Sequence, residues 1–140
     1  MRLSFPIPAM DFLAAGKAST EVKRLLARLG LSQDFVKRVS VAMYEGEMNV
    51  AIHGGGGEAT LELGTERIEI SLEDKGPGIA DLELAMTEGW STASAEVRSM
   101  GFGAGMGLPN MKRNADSLEI DSAPGAGTRV KMSFMLPART

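Results

Sequence analysis

From Arg2 to Ile7 the chain alternates weakly between apolar and polar positions and then meets Pro6 and Pro8, a pattern that predicts a first or edge strand. Between Asp11 and Leu29 the apolar positions Leu13, Val22, Leu25, Leu26 and Leu29 recur at steps of three and four, which predicts an amphipathic helix stopped by Gly30. Ser32 opens "SQDF" as a plausible cap for a second helix. Its buried stripe is Val36, Val39, Met43 and Val50, and it runs to about His53 before the glycines Gly54 to Gly57.

Glu58 to Leu63 and Arg67 to Leu72 alternate with period two around Gly64 and Thr65, the signature of an antiparallel hairpin. Asp81 to Met86 fits a short helix, whereas Glu88 to Gly105 mixes small and polar residues without a period and predicts a long loop. Met106 to Ala115 is helix-like. Ser117 to Asp121 and Thr128 to Phe134 then give two strands around "SAPGAG". This order predicts an α+β fold: a two-layer α/β sandwich whose sheet is mixed and mostly antiparallel, with helices on one face. Residues 1–140 are expected to form one domain, without repeats or linkers.

Composition narrows the function more than the fold. A formal net charge of −3 argues against a domain built to grip nucleic acid, which needs a basic face. There is no cysteine, so thiol chemistry and cysteine-bound zinc are excluded. The N-terminus is broken by Pro6, Pro8 and Asp11 before a signal core can form, and no apolar run reaches spanning length; a cytoplasmic protein without membrane contact is the expectation. The 17 glycines exceed ordinary usage of about 7%, and most of the excess falls in three clusters that ask for local reasons.

Three constellations carry candidate chemistry. In "EGEMNVAIH", Glu45, Asn49 and His53 stand four apart and share one helix stripe. An amide oxygen there suits a magnesium ion bound to phosphates, and a carboxylate one turn away suits a base for an attacking hydroxyl; a solvated helix face accounts for the same spacing. Glu47 lies roughly 200° around the helix from Glu45, so Glu45 is the candidate base. His53 reads as a helix-end residue. "DKGPGI" follows a strand and offers Asp74, Gly76 and Gly78. An ionised carboxylate only accepts, which matches the exocyclic amino group of adenine, although a simple tight turn has the same string. "GFGAGMGLPNMK" places Gly101, Gly103, Gly105 and Gly107 before a helix, where bare amides hold anions; a flexible linker is the alternative. Thr128 opens the last strand after a glycine turn. Trp90 and Phe102 lie in the long loop as partner contacts or loop anchors.

Taken in order, E-x-x-x-N, D-x-G-x-G after a strand, a glycine-rich segment before a helix and a final G-T resemble the GHKL (Bergerat-fold) ATPase and kinase superfamily. The length and layout look like the anti-sigma regulatory serine/threonine kinases of bacteria. The resemblance implies ATP and Mg2+ as cofactors, Glu45 as general base and Asn49 as metal ligand. It implies a nucleotide site made of Asn49, Asp74, Gly76, Gly78, Ile79, Gly101, Gly103, Gly105, Met106, Gly107, Leu108 and Thr128. The lid "RSMGFGAGMGL" is longer than the short G-x-G of those kinases, which favours Gly105 and Gly107 for phosphate and makes Arg98 a candidate phosphate or partner contact. Implied partners are a sigma factor or an anti-sigma antagonist protein, ATP or ADP, and a second copy in a homodimer. Two other functions fit the same motifs: a nucleotide-switched binding module without transfer, and a stand-alone histidine-kinase-type ATP domain.

Overall fold

The computed structural model describes residues 1–9, 16–52, 55–76, 107–122 and 125–137. Strand β1 (Arg2–Ile7) is followed by helices α1 (Lys17–Arg28) and α2 (Gln33–Ile52) and by the hairpin β2 (Gly57–Leu63) and β3 (Arg67–Asp74). Helix α3 (Gly107–Asn114) and strands β4 (Ser117–Ser122) and β5 (Thr128–Met135) complete the described elements. The sheet order is β1-β2-β3-β5-β4. Every neighbouring pair among the described strands is antiparallel, in keeping with the mostly antiparallel sheet expected from sequence.

Period-two alternation sorts each strand into two faces. Ala59 and Leu61 of β2, Ile68, Ile70 and Leu72 of β3, and Val130, Met132 and Phe134 of β5 point inward and are buried. Against them pack Val22 and Leu26 of α1, Val36, Val39, Met43 and Val50 of α2, and Leu108 and Met111 of α3. The opposite face is solvated and charged. Its ion pairs include the exposed pair Arg129 and Glu73 at 3.1 Å, which contributes little, and the half-buried pair Lys131 and Glu69 at 3.4 Å.

Ser32 caps α2 as the sequence indicates, its Oγ accepting the Phe35 N–H at 3.3 Å. The first helix needs a correction. Gly16 takes a left-handed conformation with φ of 92°, which a continuous helix from Asp11 cannot contain, so α1 begins at Lys17. The short helix at 81–86, the loop at 88–105, Leu13, Trp90, Phe102 and His53 lie outside the described residues. No helix among the described residues is long and apolar enough to cross a membrane.

Candidate nucleotide site

Helix α2 lies tightly on the sheet because Gly46 has no side chain. A Cβ there would stand 2.7 Å from Leu72 Cδ1, so any larger residue would force the Leu72 side chain or the helix to shift. Beyond Gly46 the helix heads for the end of β3: the Gly56 N–H bonds the Val50 carbonyl at 3.0 Å, and Gly57 pairs with Asp74. Asn49 therefore sits at the same end of the molecule as Asp74, which shares the helix-facing side of β3 with Leu72 and Ile70. Asn49 is half-buried, and its carboxamide bonds no other described residue. An unengaged amide oxygen is a donor that a hard cation such as Mg2+ accepts alongside phosphate oxygens.

Asp74 is held by its own turn. Its Oδ1 accepts the Gly76 N–H at 2.8 Å, fixing one oxygen and leaving Oδ2 without a partner among the described residues. Across the sheet Asp74 faces Thr128, and Thr128 faces Ser122, whose Oγ lies 3.0 Å from Thr128 Oγ1. Gly127, with φ of 79°, presses its Cα against the Asp74 carbonyl; a Cβ would collide with that backbone. The positive φ and the contact both require glycine there. The G-T pair thus supplies a close approach and then a hydroxyl beside an acceptor-only carboxylate.

Helix α3 packs along α2 and brings Asn110 to Glu45, where Asn110 Nδ2 donates to Glu45 Oε1 at 3.4 Å. At the far end Arg38 of α2 donates through Nε and Nη2 to the Asn114 carbonyl, at 3.1 and 2.8 Å, and reaches Asp116 Oδ1 at 3.2 Å. This clasp satisfies an orphan carbonyl at the α3 C-terminus and fixes the helix against α2. Pro109 falls in the first turn of α3, where a missing N–H costs little. Leu108 is buried in the core, so what it offers outward is backbone rather than side chain.

Among the expected site residues, Glu45, Asn49, Asp74, Gly76, Gly107, Leu108 and Thr128 are described. Gly78, Ile79, Gly101, Gly103, Gly105, Met106 and Arg98 lie outside the described residues. The sequence reading passed over three side chains that shape this region. Asn110 and Arg38 tie α3 to α2. The third is Glu47, only 2% exposed, whose Oε2 accepts the Gly16 and Ala18 N–H groups at 3.0 and 3.3 Å and whose Oε1 accepts that of Ser19 at 2.6 Å. It caps α1 from another helix, where a carboxylate also complements the helix dipole. One signal was present: Gly16, the residue before α1, has no side chain to cap it, so the first amides needed an acceptor from elsewhere. Tyr44 lies beside both carboxylates. Burial, then Glu45, then Glu47 raise its phenol above the ordinary 10.0.

Comparison with known proteins bears on the family and the fold. The family model described as a histidine kinase-like ATPase domain matches residues 11–134. Over 125 residues the chain is 30% identical to the serine/threonine-protein kinase RsbT of Bacillus subtilis (strain 168), covering 86% of each. It is 34% identical over 121 residues to an anti-sigma F factor of Thermoanaerobacter sp. (strain X514), covering 83% of this chain and 81% of that one. Among solved structures, the RsbU and RsbW domains of Rv1364c from Mycobacterium tuberculosis superpose with a TM-score of 0.66 at 16% identity. That match covers 99% of this chain, which spans 34% of the other. The mycobacterial sensor histidine kinase MprB matches with a TM-score of 0.57 at 17% identity, over 99% of this chain and 100% of that one. These two likenesses speak to the fold alone.

Proposed function

Because the chain belongs to the histidine kinase-like ATPase family, we propose that residues 1–140 form one ATP-binding domain of a cytoplasmic anti-sigma regulator, which transfers the ATP γ-phosphate to a serine or threonine of a small antagonist protein. In this reading Asp74 accepts from the adenine amino group, with Gly76, Gly78, Ile79 and Thr128 around the base. Asn49 holds Mg2+, and the lid from Gly101 to Leu108 offers backbone amides to the phosphates. When bound, Mg2+ neutralises charge that builds on the phosphate oxygens.

Glu45 accepts the proton of the attacking hydroxyl. The freed oxygen forms a bond to the γ-phosphorus while the bond to the β–γ bridging oxygen breaks, leaving a phosphomonoester and ADP. The observation that carries the reading is the meeting of α2 and β3 at one end of the molecule, with an unengaged amide on one element and a half-engaged carboxylate on the other.

Thermal unfolding with and without ATP and Mg2+ tests the site, since a ligand selective for the native state raises apparent stability. ATP with Mg2+ should raise Tm, and Asp74→Asn should abolish the rise. Labelled phosphate should appear on an added antagonist protein and disappear with Glu45→Ala while the ATP-dependent rise in Tm persists. An unchanged Tm in the wild type would sink the proposal; a rise without transfer would leave the nucleotide-switched module.

A further inference from the structure

Glu45 has a partner on another helix, and that partner is itself held in one orientation. Asn110 Nδ2 donates to Glu45 Oε1 at 3.4 Å, while Asn110 Oδ1 accepts from Arg113 Nη2 at 3.1 Å. A carboxamide carries a donor at one end and an acceptor at the other, and a guanidinium only donates. Arg113 therefore claims the oxygen and turns the NH2 toward the carboxylate. This run of guanidinium, amide and carboxylate has one direction, and it ends at Glu45 Oε2, which meets no described residue.

The place of Asn110 is set by the helix that carries it. Helix α3 buries Leu108 and Met111 in the core, and Arg38 holds the Asn114 carbonyl at its other end. With those anchors in place, a long bond between a half-buried amide and a half-exposed carboxylate adds little to packing. What it governs is direction. A glutamate side chain has several rotatable bonds, the last of them loosely restrained, and a base must come within about 2.6–3.2 Å of the group whose proton it takes. Holding Oε1 leaves Oε2 as the oxygen offered to a hydroxyl. Asn110 also follows closely on Leu108, where the segment proposed to hold the phosphates ends, so one turn of α3 sets the base and the phosphate anchor relative to each other.

We propose that Asn110 is a positioning residue for phosphoryl transfer: oriented by Arg113, it holds one oxygen of Glu45 so that the other faces the attacking hydroxyl. The assignment rests on the kinase reading, because it takes Glu45 as the base. Asn110 acts through Glu45, so removing it should slow the reaction and leave the binding of ATP as it was.

Side-chain amide resonances read the contact directly. The chain holds three asparagines and one glutamine, so the intact protein labelled with nitrogen-15 shows few side-chain NH2 pairs, and Asn110→Ala identifies its own by loss. That pair should move upfield in Glu45→Ala, shift in Arg113→Ala, and stay in place in Lys112→Ala, a change at an exposed position of the same helix. Turnover then separates direction from packing. With saturating antagonist protein and varied ATP, Asn110→Ala should lower kcat about tenfold while KM for ATP and the ATP-dependent rise in Tm stay unchanged. Asn110→Asp keeps the shape and gains an ion pair with Arg113 but sets a second carboxylate against Glu45. It should lose at least as much kcat without a fall in Tm. An Asn110 resonance indifferent to Glu45→Ala, wild-type kcat in either Asn110 variant, or a loss of kcat that only tracks a fall in Tm would overturn the assignment while the kinase reading stands. Wild-type protein that moves no phosphate overturns the kinase reading and the assignment with it.

Discussion

Glu45 and Glu47 stand two residues apart on one helix and differ in almost everything the fold asks of them. Glu47 is sealed between α1 and α2 with three backbone donors on its two oxygens. Glu45 is half-exposed, with one amide at 3.4 Å, and borders a groove between α1 and α2. The helical turn of about 100° per residue sets them on different sides. A buried carboxylate that already accepts three backbone N–H groups is closed to a substrate hydroxyl, whereas a half-exposed one with an open oxygen is within reach of it. The difference teaches that burial and hydrogen bonding, rather than residue type, divide a structural carboxylate from one left open to chemistry.

The largest expected effect follows from removing the buried one. Glu47→Ala leaves three amides at the start of α1 without their acceptor, and each buried orphan donor costs about 1–3 kcal/mol. With water entering part of the space, a loss of about 3 kcal/mol in chemical unfolding is expected. Glu47→Gln keeps one acceptor oxygen and turns an amide NH2 toward backbone donors, so it should lose about 1–2 kcal/mol. If both variants unfold like the wild type, Glu47 is not the cap described above, and the contrast with Glu45 collapses.

Glu45→Ala should behave in the opposite way. It removes one long hydrogen bond from a half-exposed position, so stability should change by no more than about 0.5 kcal/mol while phosphoryl transfer is lost. Measured side by side, Glu47→Ala should lower Tm most and Glu45→Ala should remove activity without lowering Tm. A Glu45→Ala protein that is as unstable as Glu47→Ala would make both residues structural.

How much of this was legible in the sequence depends on the distance over which each interaction acts. The Ser32 cap is a local event, its hydroxyl meeting an amide three residues on, and it was readable from "SQDF". The stripe Val36, Val39, Met43 and Val50 follows from helical periodicity and is buried as expected. The hairpin from β2 to β3 is likewise local, set by alternation and a short turn. The Glu47 cap joins residues 28 to 31 positions apart, so no window along the chain contains it. The same holds for Asn110 with Glu45, separated by 65 positions, and for Arg38 with Asn114, separated by 76. The start of α1 was misjudged because Gly16 adopts a left-handed conformation that composition alone does not reveal. Asp74 and Thr128 stood out as motifs, but their pairing across adjacent strands is a property of the sheet.

The smallest expected effect is also the finest test of the comparison, because Tyr44 senses both carboxylates. It is the only tyrosine in the chain, so tyrosinate absorbance titrates it alone. Its phenol is raised above 10.0 first by burial, then by Glu45, then by Glu47. The neutral phenol is therefore the form the folded protein favours. Its contribution is fully present below pH 10.0 and fades as pH climbs through the folded value, so Tyr44→Phe should flatten the alkaline limb of the stability curve. Neutralising each carboxylate while holding its shape ranks their influence. Glu45→Gln should lower the Tyr44 pKa more than Glu47→Gln does, with burial keeping both variants above the ordinary tyrosine value. The reverse order would mean that the sealed carboxylate projects more charge into the groove than the open one, and the division of labour on α2 would have to be redrawn.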